Sequence, residues 1–129
     1  MAQTGHILVV EDNPQVAAML AAILGQAGYA VVTAANGAAA LDLLDQPVGP
    51  AGPLRLVLLD VLMPGITGIG VLRQLRARHP TIPVIAVSGS PTALEAAQAA
   101  GAEAGLLKPF SLDELRAAVA RHWPPDPGA

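Results

Sequence analysis

Short apolar runs that each end in a polar or charged residue are the feature that most constrains the fold of this sequence. The runs, each with the residues that follow it, are 7–10 with Glu11 and Asp12, 56–59 with Asp60, 84–87 with Ser88, and 106–107 with Lys108. A strand in a parallel sheet is buried on both faces, so its sequence is continuously apolar and does not alternate. Ligands of such sheets bind beyond the carboxyl ends of the strands. We therefore expect three carboxylates, a hydroxyl group and an ammonium group to share one edge of a sheet.

Helical patterns separate these runs, so that the chain alternates strand and helix five times. This alternation predicts βαβ units and a parallel sheet. The predicted strands are about 7–10, 30–34, 56–59, 84–87 and 104–107. The predicted helices begin near residues 13, 37, 69, 90 and 111, and they end near residues 28, 45, 79, 101 and 123. The segment 46–53, which is rich in glycine and proline, is predicted to be a surface loop.

The second predicted strand is the one without a reactive residue at its end, which favours a place at the edge of the sheet. The strand order is then 2-1-3-4-5, and the winding reverses between the first and third strands. Right-handed crossovers place the first and last helices on one face and the middle three on the other. The predicted fold is a doubly wound, five-stranded α/β domain, the flavodoxin-like (βα)5 arrangement.

Length and composition limit the classes of protein that this chain can belong to. We expect one domain over residues 1–123, followed by a disordered proline-rich tail at 124–129. The absence of cysteine excludes disulfide bonds and thiol chemistry. A net charge of −3 argues against direct nucleic-acid binding, and the arginines Arg73, Arg76 and Arg78 are expected to form a solvated helix end. We expect a cytoplasmic location, because the sequence shows neither a membrane span nor a signal peptide.

The three carboxylates predicted at the sheet edge, those of Glu11, Asp12 and Asp60, suit a hard cation. Mg²⁺ prefers oxygen ligands and keeps several waters. A cation beside a carboxylate makes that carboxylate a phosphoryl acceptor, because the cation neutralises the incoming phosphoryl oxygens. Ser88 and Lys108 would supply a hydroxyl group and an ammonium group for the other phosphoryl oxygens. The residues therefore predict Mg²⁺ binding and phosphoryl transfer to an aspartate.

The same residues carry a family resemblance. The segment 60–65 (DVLMPG), with Glu11 and Asp12 upstream and Ser88 and the segment 108–110 (KPF) downstream, resembles the CheY-like receiver domain of bacterial two-component response regulators. The resemblance covers about residues 6–122, with the motifs in the right order and at the right intervals. It implies a phosphorylation-switched signalling protein that catalyses only its own phosphorylation and dephosphorylation, so that we do not expect an enzyme.

The resemblance also implies the roles of individual residues. Asp60 accepts the phosphoryl group from the phosphohistidine of a histidine kinase or a histidine phosphotransfer protein. Asp12 binds Mg²⁺ directly, Glu11 acts mainly through water, and the main-chain carbonyl of Leu62 is a further ligand. Ser88 moves toward the phosphoryl group.

Two further implications concern the segment that follows the last strand. Lys108 binds a phosphoryl oxygen, and before phosphorylation it pairs with the carboxylates. The peptide bond between Lys108 and Pro109 is expected to be cis.

One position departs from the pattern, because the residue three before the lysine is usually aromatic in this family and here is Gly105. The usual coupling of the hydroxyl group to a ring flip therefore does not operate here.

The residues leave other functions open. A phosphorylation-independent interaction module would keep the fold without the switch; Gly105 favours it, and the intact set of carboxylates, serine and lysine opposes it. A small phosphohydrolase would need a second acid or base near the nucleophile, which Leu62 does not offer. We expect partners of two kinds, the phosphohistidine donor and an output domain or target protein. We expect no direct contact with nucleic acid or membrane, and a monomer or weak dimer.

Overall fold

A computed structural model of the chain describes residues 5–46, 48–49, 52–62 and 68–123. The strands are β1 (His6–Val10), β2 (Ala30–Ala34), β3 (Val48–Gly49), β4 (Gly52–Asp60), β5 (Val84–Ser88) and β6 (Ala104–Leu107). The helices are α1 (Pro14–Gln26), α2 (Gly37–Leu44), α3 (Gly68–Arg78), α4 (Pro91–Ala99) and α5 (Leu112–His122). The tail predicted to be disordered lies outside the described residues, as do residues 63–65 of the motif after Asp60. Within the described ranges, no helix is long and apolar enough to span a membrane.

Five parallel strands form the sheet in the order β2-β1-β4-β5-β6. This order is the predicted 2-1-3-4-5, because the short strand β3 pairs antiparallel with the start of β4 and does not interrupt the sheet. The prediction of a loop over 46–53 is wrong in part, since β4 begins at Gly52 instead of Leu56. Gly52 has a φ of 102°, a left-handed conformation that lets the chain reverse tightly enough for Gly49 to pair with it. This local backbone pairing outweighs the loop signal of the glycines and prolines.

The two faces of the sheet carry separate apolar clusters, as the crossover rule predicts. On one face, β1, β4 and β5 share a buried cluster with α2, α3 and α4, in which Leu8 and Leu72 are at most 1% exposed. On the other face, Ile7 lies in a cluster with Leu24 of α1 and Leu115 of α5, and all three are 0% exposed. Consecutive strand residues point to opposite faces, so both faces need apolar residues. The sheet is thereby fixed between two layers of helices.

Polar side chains cap the starts of two helices. The side-chain oxygen of Asn13 accepts hydrogen bonds from the amides of Gln15 and Val16 at 2.9 and 3.2 Å, which satisfies two free donors of α1. Ser111 and Glu114 form a reciprocal capping box at the start of α5. These caps set the residues at which α1 and α5 begin, so that the residues between a strand and the next helix lie at the edge of the sheet.

The prediction of a solvated helix end is wrong for Arg76. Its Nε donates to the carbonyl oxygen of Gly101 at 2.9 Å, and its Nη1 donates to that of Ile82 at 2.6 Å. Its Nη2 bonds both carboxylate oxygens of Glu103 at 2.5–2.6 Å, and Glu103 also accepts from the amide of Val84 at 2.6 Å. Arg76 therefore ties the end of α3 to the starts of β5 and β6. Residues distant in sequence supply all but one of these partners, so helical periodicity could not reveal them.

Candidate functional site

The polar residues predicted at the strand ends lie at one edge of the sheet. Glu11 follows β1, Asp60 ends β4, Ser88 ends β5 and Lys108 follows β6. Backbone hydrogen bonds fix these ends, because the amide of Lys108 donates to the carbonyl oxygen of Ser88 at 2.8 Å and that of Glu11 donates to Ala34 at 3.0 Å. The edge includes the point between β1 and β4 where the winding reverses, which is where open α/β sheets bind ligands.

Three carboxylates converge beside this reversal. One oxygen each from Glu11, Asp12 and Asp60 lies within 4.8 Å of the other two. Glu11 and Asp60 are only 4% and 7% exposed, whereas Asp12 is exposed to water. A purely oxygen donor set with one open side fits Mg²⁺, which keeps part of its water shell. These three residues could therefore hold the cation that the sequence predicts.

Lys108 brings a positive charge to the same place. Its Nζ lies 3.5 Å from Oδ2 of Asp60 and 3.9 Å from Oε1 of Glu11. Its side chain is 36% exposed, so the ammonium group reaches the carboxylates from the rim of the site. A compact ammonium group binds phosphate as a point charge and needs no bidentate geometry. The same group can thus pair with the carboxylates or with an anion that arrives beside them.

The electrostatics of the cluster are most marked at Glu11. The pKa of Glu11 is raised from 4.5 to about 8, first by burial of the carboxyl group and then by its hydrogen bond with Asp60 and the charge repulsion from Asp60. The ammonium group of Lys108 lowers this pKa but does not outweigh burial, and the charge of Asp12 adds to the rise. The cluster is short of positive charge, and a divalent cation would correct the deficit.

Ser88 connects the site to helix α4. It is 1% exposed, and its Oγ accepts a hydrogen bond from the amide of Ser90 at 3.0 Å. The Oγ of Ser90 in turn accepts from the amide of Ala93 at 3.2 Å and caps α4. A change in the orientation of the Ser88 hydroxyl group therefore acts directly on the residue that begins α4.

Leu62 and Pro109 occupy the two loops beside the acceptor. The amide of Leu62 donates to Oδ1 of Asp60 at 3.0 Å, which orients the carboxylate, and the Leu62 side chain is 62% exposed. The bond between Lys108 and Pro109 is cis, as the resemblance implies.

Gly105 lies on β6, away from the carboxylates, and it is exposed. A methyl group at this position would lie 3.3 Å from Cβ of Leu94 and 3.4–3.5 Å from its two δ carbons. Leu94 of α4 therefore packs directly on the backbone of Gly105. The sequence did not single out Leu94, because it is one of several apolar residues in α4 and nothing in its spacing points to β6.

Comparison with known sequences gives a consistent family. Residues 7–120 match the response regulator receiver domain. The transcriptional regulatory protein TcrA of Mycobacterium tuberculosis is 40% identical over 124 residues, which cover 92% of this chain and 47% of TcrA. The response regulator MprA of Mycolicibacterium vanbaalenii is 39% identical over 131 residues, which cover 96% of this chain and 54% of MprA. The chain spans about half the length of these curated relatives.

Solved structures agree with the sequence comparison. The chemotaxis protein CheY4 of Vibrio cholerae has a TM-score of 0.81 at 27% identity, over 93% of this chain and 99% of CheY4. The response regulator protein TrrA of Thermotoga maritima, in complex with Mg²⁺-BeF, has a TM-score of 0.81 at 31% identity, over 92% of this chain and 98% of TrrA. The fold, the sheet-edge cluster and these matches lead to one conclusion: the chain belongs to the response regulator receiver domain family.

Proposed function

We propose that Asp60 accepts a phosphoryl group from the phosphohistidine of a histidine kinase or a histidine phosphotransfer protein. The observation that carries the proposal is the cluster of charged residues at the sheet edge. Carboxylate oxygens of Glu11, Asp12 and Asp60 lie within 4.8 Å of one another, and the ammonium group of Lys108 lies 3.5 Å from Asp60. This combination of three clustered carboxylates and one ammonium group supplies both a nucleophile and the partners of a transferred phosphoryl group.

Asp60 is the nucleophile in this proposal. One of its carboxylate oxygens forms a bond to phosphorus while the bond between phosphorus and the imidazole nitrogen breaks. The imidazole leaves with the electron pair of that bond, and its protonation completes the step. The amide of Leu62, 3.0 Å from Oδ1, and the ammonium group of Lys108, 3.5 Å from Oδ2, hold the carboxylate in one orientation before the donor arrives.

Mg²⁺ is the proposed cofactor, and it neutralises the phosphoryl oxygens when it is bound. Asp12 and Asp60 would bind it directly, Glu11 mainly through water, and the carbonyl oxygen of Leu62 would complete the protein ligands. Receiver domains bind Mg²⁺ through acidic residues. The relative TrrA was solved in complex with Mg²⁺-BeF, which supports the same ligand chemistry for the acidic cluster here.

Ser88 and Lys108 would hold two of the phosphoryl oxygens. The hydroxyl group of Ser88 donates one hydrogen bond, and the ammonium group of Lys108 moves from the carboxylates to the more negative phosphoryl group. Because the amide of Ser90 bonds Oγ of Ser88, this rearrangement acts on the start of α4. We propose that phosphorylation changes the surface around α4, and with it the binding of an output domain or target protein.

The relatives suggest where such a signal leads. TcrA is named a transcriptional regulatory protein, and this chain matches 47% of its length. We propose that this receiver domain works in the cytoplasm as a monomer or weak dimer, and that any contact with DNA belongs to another domain or protein.

Incubation with Mg²⁺ and acetyl phosphate, followed by intact mass spectrometry, tests the proposal. We expect the wild-type chain to gain the mass of one phosphoryl group and Asp60→Asn to gain none. Asp113→Asn is the matched control, because Asp113 is an exposed aspartate in the first turn of α5. This variant is expected to be phosphorylated at the wild-type rate.

One result would overturn the proposal. If the wild-type chain binds Mg²⁺, as a rise in melting temperature would show, and still takes no phosphoryl group, Asp60 is not a working acceptor. The phosphorylation-independent interaction module then becomes the better description.

A further inference from the structure

Helix α3 begins in direct contact with the backbone of the acceptor segment. Gly68, the first residue of α3, is buried. A Cβ atom at this position would overlap the Cα of Val61, and it would lie 2.8 Å from the carbonyl oxygen of Asp60 and 2.9 Å from the carbonyl carbon of Val61. Cβ atoms essentially never lie this close to backbone atoms, so a side chain here would force one of the two segments to move. Hydrogen is therefore the largest side chain that leaves both α3 and the acceptor segment in place.

The two segments differ in how firmly they are held. Helix α3 is anchored by Val71, Leu72 and Leu75, each at most 1% exposed, and by the hydrogen bonds and ion pair of Arg76 at its end. Each of these contacts resists a shift of the helix axis, because the surrounding core is close-packed.

The acceptor segment lies at the end of a strand: the side chain of Val61 is 4% exposed in the same core, but β4 ends at Asp60. Asp60 pairs with Val87 as the last residue pair between β4 and β5. Beyond that pair, the amide of Val61 still bonds the carbonyl oxygen of Val87 at 3.1 Å, but the side chain of Leu62 is 62% exposed. A side chain at position 68 would therefore displace the backbone at the end of β4, from Asp60 to the exposed Leu62, more than it displaces α3.

We propose that Gly68 is a positioning residue for phosphoryl transfer: the absence of its side chain lets α3 abut the backbone of Asp60 and Val61 and so sets the place of the acceptor carboxylate and the Leu62 carbonyl. The inference rests on the proposed function of Asp60. In this role Gly68 acts through the backbone of Asp60 and Val61 and does not itself contact phosphate or metal. A displacement near 1 Å at a reacting group lowers rates by as much as about 100-fold, so a small backbone shift is enough to matter.

The variant Gly68→Ala tests this role, and Gly25→Ala is its matched control. Gly25 lies in α1, where an added Cβ atom would have no neighbouring atom within 4 Å outside the helix's own backbone, so the same substitution meets open space. We expect Gly68→Ala to weaken Mg²⁺ binding at least about tenfold and to slow phosphorylation by acetyl phosphate about 10- to 100-fold at saturating Mg²⁺. Gly25→Ala is expected to stay within about twofold of wild type in both, because its substitution displaces nothing.

A loss of stability alone must be separated from a loss of position. Leu75→Ala opens a cavity on the same helix two turns beyond Gly68, and it serves as the destabilised reference. We expect Leu75→Ala to keep the wild-type Mg²⁺ affinity at temperatures where it is folded. If Gly68→Ala does not fold alone, it is made together with Gly25→Ala, whose gain in helix propensity raises the melting temperature.

Amide shifts in the NMR spectrum without metal or phosphate give a readout that does not depend on phosphorylation. Gly68→Ala is expected to shift the amides of Val61 and Leu62 more than those of Val71 and Leu75. Shifts confined to α3, or Mg²⁺ affinity and phosphorylation within twofold of wild type, would overturn the inference. If instead wild type itself takes no phosphoryl group, the proposed function fails, while the NMR result still decides which segment Gly68 positions.

Discussion

The variant Glu11→Gln is expected to change how the stability of the metal-free protein depends on pH. The pKa of Glu11 is raised from 4.5 to about 8, first because the carboxyl group is buried and then because it shares a hydrogen bond with Asp60 and is repelled by the charge of Asp60. Between these two values the folded protein keeps a proton that the unfolded chain has released. The free energy of unfolding of the wild type therefore falls as the pH rises through this range. Glutamine has the same length and does not titrate, so the variant lacks this loss.

The size of the effect follows from the two pKa values. One proton held only by the folded state changes the free energy of unfolding by at most about 1.4 kcal/mol for each pH unit. From pH 5.5 to pH 7.5 this limit is about 2.8 kcal/mol. The exposed side of the cluster at Asp12 lets water screen the charges, so we expect about half of the limit, on the order of 1.5 kcal/mol.

Urea denaturation at a series of pH values, in buffer treated with a chelator, measures this difference. The two proteins are expected to be about equally stable near pH 4.5, and Glu11→Gln is expected to be the more stable above it. Excess Mg²⁺ at pH 8 is expected to reverse the order, because the ionised carboxylate favours the bound cation. Glu95→Gln, at an exposed position on α4, is the control and is expected to follow the wild-type curve.

Parallel curves for wild type and Glu11→Gln across this pH range would refute the reasoning. They would mean that Glu11 takes up no extra proton on folding. The burial of the carboxyl group beside Asp60 would then have to be compensated by contacts that the structure does not show.

Four further substitutions, one of them a control, test other parts of the structure. Arg76→Met is expected to lower the free energy of unfolding by about 2–3 kcal/mol in urea denaturation, because the carbonyl oxygens of Gly101 and Ile82 lose their charged hydrogen-bond donor. Arg78→Met removes an exposed ion pair and is expected to cost less than about 1 kcal/mol; equal losses would contradict the role of Arg76. Ser111→Ala removes the cap of α5 and is expected to cost about 1 kcal/mol in the same assay, and no loss would argue against the capping box. Lys108→Met is expected to lower the free energy of unfolding by about 1 kcal/mol without metal, because Lys108 then balances the charge of Asp60. Mg²⁺ is expected to restore most of the loss, because the bound cation balances the same charge. A loss that Mg²⁺ leaves unchanged would assign Lys108 a packing role.

The sequence was sufficient to predict the sheet and the residues at its edge. Continuous apolar runs are required of strands that are buried on both faces, and a strand placed between helices admits one handedness of crossover. Together with the lack of a reactive residue after the second strand, these rules predict the strand order and bring Glu11, Asp60, Ser88 and Lys108 to the same edge, where the structure has them. Their chemistry also follows from residue type, because oxygen donors beside an ammonium group suit a cation and a phosphoryl group.

Other features depend on contacts between residues that are distant in the chain. The partnership of Arg76 with Glu103, the packing of Leu94 on Gly105, and the contact of Gly68 with Val61 all arise when α3 or α4 docks on the sheet. Periodicity tells which face of a helix is buried, but it carries no information on which backbone atom that face meets. The raised pKa of Glu11 has the same origin, since burial and the approach of Asp60 exist only in the folded chain. The sequence alone determined the strand order and the chemical groups at the edge, and tertiary packing alone decided their spacing, protonation and supporting contacts, because those depend on distances that only the docked helices and strands set.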